Sequence, residues 1–459
     1  MKSAPELFKK YNIPGPRYTS YPTVPYWEKA PTEAQWLSSI QKSLTQSMQD
    51  GIGASVYFHI PFCQSLCTYC GCNTRITRNH SHASTYVDTI IKEWELYRKH
   101  ISSEILLSEL HLGGGTPTYL TPKELNKLIT GILSKSRLAS FYEFSIEADP
   151  RVTRQEHLET LASLYFKRIS LGIQDFDPKV QNIVHRTQSE AQVRSVTDMA
   201  RELGFESINY DLIYGLPLQT LKSIEQTIQA VCRLRPDRIA FYGYAHVPWI
   251  KPSQRRFTEA DLPSADERRA LYELGRTLLE SAGYYEIGMD HFALKTDSLW
   301  SASVNGKLHR NFMGYISRQV SPLIGLGVSS IGDCWSVFAQ NEKQLEKYTQ
   351  CIETEKLPIF RGHMLNDEDT ILRQHILNLM TRLTTEWDLS ENYTAWLDSV
   401  PPKLTEFIED ALLEVEVQQR RVRCKIRESG RPFMRNICMA FDARLNRQVP
   451  ETQLFSKTI

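Results

Sequence analysis

Cys63, Cys67 and Cys70 form a C-x3-C-x2-C run, with an aromatic residue, Tyr69, just before the third cysteine. Three thiolates on so short a loop bind three irons of a 4Fe-4S cluster and leave the fourth iron open to a ligand that is not protein, so chemistry can occur at the metal. Structural zinc is the competing use of such thiols. It asks for four ligands, usually as two separated pairs, and the chain has no second C-x2-C. A disulfide framework fits poorly with a chain of 459 residues, nine cysteines and no apolar leader. Cys72 is left out of the metal set, because a fourth thiolate would close the position that chemistry needs. It shapes the loop, faces the substrate or is inert. Cys232, Cys334, Cys351, Cys424 and Cys438 are scattered and read as small buried apolar residues.

Elements must hold that loop in place. From Ala54 onward, short β-rich runs alternate with longer amphipathic stretches, the layout of βα units around a parallel sheet. The expected strands are 55–60, 106–112, 141–148, 168–171, 207–213 and 238–244, with helices over 86–98, 122–133, 155–164, 190–203 and 221–234. About six units predict an α/β fold, an incomplete (β/α)6 TIM-like barrel. In such barrels reactive groups sit at the strand C-termini, and the unusual residues fall there. The cysteine loop follows the first strand and Gly113-Gly114-Gly115-Thr116-Pro117 the second; Glu147 ends the third, Gln174 follows the fourth, and Asp211 and Ala245 mark the fifth and sixth.

Outside the barrel, three regions are expected: an N-terminal arm and helix over 1–50, the partial barrel over 51–360 and a mostly helical C-terminal domain over 361–459. The arm, Pro14 to Pro22, alternates prolines with aromatic residues and cannot pair inside a sheet, so it is a linker or a strap over another surface. Thr32 and Gln35 fit a capping box opening the next helix. Arg420 to Arg427 alternates like an exposed strand between helices, which reads as a solvated face or as the ribbon of a winged-helix DNA reader. Lys plus Arg total 54 against 53 acids, so no global field draws nucleic acid or an anionic membrane. No run approaches a membrane span, and the expectation is a cytoplasmic monomer that binds neither nucleic acid nor membrane.

The words Tyr57-Phe58-His59-Ile60-Pro61-Phe62-Cys63, Gly113 to Pro117 and Asp211-Leu212-Ile213-Tyr214-Gly215-Leu216-Pro217 resemble the radical S-adenosylmethionine superfamily, in the branch that acts in haem metabolism. Gly71-Cys72-Asn73, the segment Gly288 to Phe292, Leu308 to Phe312 and Arg435 to Met439 are similar to the oxygen-independent coproporphyrinogen III oxidases (dehydrogenases). A related haem chaperone of the same branch typically lacks the extra cysteine and is the alternative. One departure stands out: the family commonly has glutamine after Asn-Phe, and this chain has Met313.

The resemblance implies a 4Fe-4S cluster on Cys63, Cys67 and Cys70 and two bound S-adenosylmethionine molecules. It implies that Tyr57, Glu147 and Ile331 contact the first, and that Tyr69, Gln174, Arg186, Asp211 and Ala245 contact the second. Gly114, Gly115 and Thr116 grip amino-acid ends, because glycines let backbone amides approach a ligand. On residue type alone the tyrosines fit core packing, Glu147 a surface carboxylate, Arg186 a solvated helix and Asp211 a helix cap; His59 fits a satisfied core histidine as well as a catalytic one. The implied reaction converts coproporphyrinogen III to protoporphyrinogen IX, an oxidoreduction in porphyrin biosynthesis with an electron donor and acceptor that the sequence does not identify. The substrate's four carboxylates call for cations, with Arg17, Arg310 and the C-terminal arginines as candidates.

Overall fold

The computed structural model describes residues 3–101, 104–388, 395–448, 450, 452 and 454–458. Strands β1 (Ala54–Ile60), β2 (Ile105–Gly114), β3 (Ser136–Ala148), β4 (Phe166–Gln174), β5 (Ser207–Tyr214) and β6 (Arg238–Gly243) lie side by side in chain order. Every neighbouring pair is parallel. Parallel neighbours need crossovers, and helices Ser81–His100, Pro122–Leu133, Gln155–Ser163, Glu190–Glu202 and Leu221–Leu234 supply them. These match the six strands and five helices read from periodicity. The caps are local: Thr32, Thr121, Ser189 and Thr220 each accept from the backbone three residues on.

Alternation along the strands divides the two faces. Val56, Phe58, Leu110, Leu112, Phe144, Ile146, Ile169, Leu171, Ile208 and Leu212 join one apolar cluster with the helices. Their neighbours in sequence form a polar lining held by its own bonds. His111 meets Ser145 at 2.7 Å, Arg168 pairs with Glu143, and Asp211 accepts from Ser170 at 2.8 Å and Asn209 at 2.9 Å. Buried polar groups persist because they are paired.

The barrel stays open. Beyond β6 the sheet continues through β7 (Tyr285–Ile287) and β8 (His291–Ala293), with β8 next to β6. On the far side of β1, β9 (Leu323–Leu326) adds a seventh parallel strand, and β10 (Ile331–Asp333), β11 (Val337–Asn341) and β12 (Ile359–Met364) run on antiparallel. β7 to β11, of three to five residues, offer periodicity too few positions, and β12, no shorter than β6, lies outside the βα alternation by which the sequence reading found the six. β12 carries the sheet past residue 360.

The region after it is not purely helical. Helices Asp367–Arg382, Ala395–Glu409 and Met434–Phe441 pack with a three-stranded antiparallel sheet, β13 (Thr384–Asp388), β14 (Leu413–Gln418) and β15 (Arg421–Ile426), with β15 in the middle. The basic run is thus a central strand. Val422, Cys424 and Ile426 point into the core, while Arg421 and Arg423 face Glu386 across the sheet. Leu7, Tyr11, Tyr18 and Tyr21 belong to the same apolar cluster, so the N-terminal arm is a strap and not a linker. Among the described residues no helix is long and apolar enough to cross a membrane.

Candidate active site

The cysteine loop leaves β1 and is pinned at both ends. Phe62 and Cys63 pair in parallel with Arg75 and Ile76, and Thr77 N–H bonds the Cys63 carbonyl at 2.9 Å. In the middle, Thr68 N–H bonds the Val184 carbonyl at 3.1 Å and Cys70 N–H closes a turn on the Cys67 carbonyl at 3.1 Å. His59 joins the two ends. Its pKa is lowered by burial, so the ring is neutral; Nδ1 accepts from the Tyr57 hydroxyl at 3.2 Å and Nε2 donates to the Asn73 carbonyl at 2.8 Å, a tautomer assigned from these partners. Both nitrogens are used, and His59 is a positioning residue.

Cys63, Cys67 and Cys70, together with Cys72, open on one cavity of about 810 Å3 at the C-terminal ends of β1 to β6. Cys63 Sγ lies 3.3 Å from the Thr116 hydroxyl. A side chain at Gly115 would put its Cβ 3.0 Å from that sulfur and 2.7 Å from the Pro61 carbonyl oxygen, so only glycine leaves the sulfur clear. Gly114, at φ +114°, packs against the His59 ring and donates its N–H to Glu147 Oε2 at 3.1 Å.

Cys67 faces cations. Arg186 Nη1 and Arg151 Nη2 approach its sulfur at 3.8 and 3.9 Å. Both arginines pair with Asp149; against the raising effect of burial, Arg186 and then Arg151 hold that carboxyl below its usual range. Cys70 is lowered to about 6, first by the hydrogen bond from Cys72, against an opposing contribution from burial. Burial pushes Cys63 up to about 11. Cys72 is exposed, and its backbone N–H donates to Cys70 Sγ at 3.4 Å.

The fit to a cluster is direct. Among the described residues no three His, Cys, Asp or Glu side chains are placed to hold a single metal ion. A 4Fe-4S cluster spreads its thiolates over separate irons and asks for a wider cup, which glycines keep open and arginines line.

The cavity wall also carries Tyr69, Gly114, Gly115, Thr116, Glu147, Gln174, Arg186, Asp211 and Ala245. Tyr57 and Ile331 do not line it. Tyr57 points inward from β1 one layer deeper and stacks on His111 at 5.9 Å, and the Ile331 backbone packs against Gly325, the partner of Tyr57 across β9. Arg186 is already engaged, with Nε and Nη2 on the Gly172 carbonyl at 3.2 and 2.6 Å. Asp211 is pushed up to about 6 by burial. Met313 lies outside this wall, beside His111 in a void of about 40 Å3 beneath it. Arg17 lines the cavity, whereas Arg310 spreads over the Tyr315 ring at 4.5 Å and does not.

Two participants were not read from the sequence. Arg151 braces Cys67 through Asp149. Gln254, almost fully buried, ties the Tyr69 carbonyl (3.1 Å) to the Ala245 carbonyl (3.2 Å) and so couples the cysteine loop to the end of β6. The Glu147-Ala148-Asp149-Pro150-Arg151 word could have yielded Arg151; Gln254 sits in a segment without a motif.

Comparison with known proteins places the chain as a whole. The radical SAM superfamily profile matches residues 57–231. The chain is 38% identical to the oxygen-independent coproporphyrinogen III oxidase of Escherichia coli K12 over 99% of this chain and 98% of that one. It is 34% identical to the protein of the same name from Helicobacter pylori 26695, over 99% of each. The solved structure of coproporphyrinogen III oxidase (HemN) from Escherichia coli, described as a radical SAM enzyme, superposes with a TM-score of 0.86 over 96% of this chain and 99% of that one, at 34% identity.

Proposed function

We infer the reaction from one premise: this chain belongs to the oxygen-independent coproporphyrinogen III oxidases, within the radical S-adenosylmethionine superfamily. It is an oxidoreductase that converts coproporphyrinogen III to protoporphyrinogen IX without oxygen, turning two propionates into vinyl groups with loss of carbon dioxide. The observation that carries this reading to the residues is the opening of Cys63, Cys67 and Cys70, with Cys72 on the same wall, onto one large cavity at the strand C-termini.

Bound there, a 4Fe-4S cluster with S-adenosylmethionine would supply the one-electron radical chemistry that removal of a hydrogen from a propionate β-carbon demands, a step beyond any side-chain base. The chain's own task is placement. Cys63, Cys67 and Cys70 hold the cluster, and the Arg151 and Arg186 guanidiniums stand beside the Cys67 sulfur. The amides around Gly114 and Gly115, the Thr116 hydroxyl and the Glu147 carboxylate hold the amino-acid end of one S-adenosylmethionine, with Tyr57 and Ile331 supporting that side from deeper in the sheet. Tyr69, Gln174, Arg186, Asp211 and Ala245 hold a second; the volume of the cavity and the presence of all five in its lining support that count. The N-terminal strap and C-terminal cluster cover the cavity and exclude water and oxygen. A cytoplasmic setting suits the free cysteines and the cluster.

Anaerobic reconstitution with iron and sulfide, followed by chromatography of the tetrapyrrole after addition of S-adenosylmethionine, reductant and coproporphyrinogen III, tests the reading. The expected result is vinyl product with release of 5'-deoxyadenosine. Stoichiometric haem binding with no vinyl product would overturn it.

A further inference from the structure

Gly243, at the C-terminal end of β6, stands on the wall of the large cavity and also on that of a second one of about 370 Å3. Two guanidiniums flank it. Arg17, from the strap, donates Nη2 to the Gly243 carbonyl at 2.7 Å and lines both cavities. Arg268 rises from the first turn of helix Ala265–Ser281 and crosses the ends of β5 and β6, its guanidinium 5.7 Å from the centre of the Tyr214 ring. Space is kept for it: a Cβ on Gly243 would sit 2.6 Å from Arg268 Nη2, and one on Gly215 would sit 3.3 Å from its side-chain carbons.

The other arginines of the second cavity have acid or carbonyl partners, although Arg269 Nε, like Arg268 Nε, is shielded without an acceptor. Arg269 and Arg276 pair with Glu273, Arg431 lies beside Glu286 and Glu428, and Arg435 donates to the carbonyls of Gly15, Pro16, Lys457 and Thr458. Arg268 differs. Among the described residues its guanidinium makes no hydrogen bond or ion pair, and its Nε is shielded from solvent without an acceptor. The one acid of this inner end, Asp290, is shared electrostatically among Arg17, Arg435, Arg310 and Arg268. A shielded guanidinium without an acceptor is costly, and its planar fork of donors matches a carboxylate.

We propose that Arg268, with Arg17 beside it, binds a propionate carboxylate of the tetrapyrrole, and that this propionate is one that does not react. The assignment rests on the substrate reading above. The reacting side chain belongs in the cavity onto which the thiols open, and a ring bearing four carboxylates extends past Gly243 into the second cavity, where the unmatched cation waits.

The test uses full-length protein with its cluster and two stable fluorescent ligands, coproporphyrin III with four carboxylates and protoporphyrin IX with two. Arg268→Met is expected to weaken binding of both by a similar factor, about tenfold for one lost charged contact, while Arg268→Lys recovers part of it. Arg17→Met provides the second variant, with a smaller loss in the same direction, and circular dichroism verifies the fold of each. Unchanged affinity for coproporphyrin III in folded Arg268→Met overturns the proposal. So does weakening confined to coproporphyrin III, since a reacting propionate is absent from protoporphyrin IX. Failure of the wild-type protein to form vinyl product marks instead a failure of the reaction assignment.

Discussion

Cys67 is the thiol with the most cationic surroundings, reached by Arg151 and Arg186, which are themselves anchored on Asp149. Cys67→Ala is expected to remove both cluster absorbance and turnover; anaerobic activity retained in that variant would contradict its ligand role. Cys72 gives the opposite expectation. Its contribution to Cys70 is in part a backbone N–H, which Cys72→Ser preserves, so the variant keeps its iron and sulfide content. Loss of one iron or of cluster colour would make Cys72 a ligand. The cysteine spacing was legible because it is short and local, as was the glycine word. The engagement of Arg186 with Gly172 and Asp149 was not, since it ties a loop after β4 back to β4 itself and to the end of β3, a contact that only the folded sheet creates. The same holds for Gln254 and for the unmatched Arg268.

Between elements, the firmest joint is Glu93. It projects from helix Ser81–His100 and accepts from Gly327 N–H at 2.7 Å, Asn341 Nδ2 at 2.6 Å and the Tyr348 hydroxyl at 2.6 Å, locking the turn after β9, the end of β11 and helix Leu345–Glu353 to the barrel. Burial raises its pKa from 4.5 to about 7, against the three donors. A carboxyl that holds its proton more tightly in the folded state stabilises the fold fully below about pH 4.5; that stability, about 3 kcal/mol, is lost as pH rises to about 7. Glu109, likewise raised to about 7 by burial, acts in the same sense. Glu93→Gln cannot ionise, and its amide cannot accept from all three donors. Denaturant midpoints measured from pH 4.5 to 7 are expected to be lower for the variant at the acid end but to fall less steeply with pH; an unchanged slope would exclude Glu93 as a source. Sequence periodicity found the helix that carries Glu93 and the six long strands it serves, because each spans enough residues to show which face is apolar. It did not find β9 to β12, where Glu93 acts, nor β13 and β14 beside the basic strand, because short strands owe their existence to neighbours across the sheet.

At the scale of the whole molecule, the two chain ends are fastened together, and Arg435 is the fastener. Its buried guanidinium donates to Pro16 at 2.9 Å, to Lys457 and Thr458 at 3.2 Å each and to Gly15, joining strap and C-terminal tail beside the bridge between Pro14 and Lys457. Tyr18 adds a bond to Asp442 at 3.0 Å, and Tyr11 stacks on Phe407 at 4.9 Å. The same strap brings Arg17 to the Gly243 carbonyl, on the wall of both cavities. Arg435→Met leaves several buried carbonyls without donors, each costing on the order of 1–3 kcal/mol. The loss falls on the terminal cluster and spares the barrel core, which has its own apolar cluster. The expected phenotype is therefore selective: limited proteolysis cuts the strap near residues 13–20 at a rate well above wild type, coproporphyrin III binds more weakly, and cluster content on reconstitution is unchanged. Uniform proteolysis across the barrel, or loss of the cluster along with the strap, would mean that Arg435 supports the whole fold and not the cover alone.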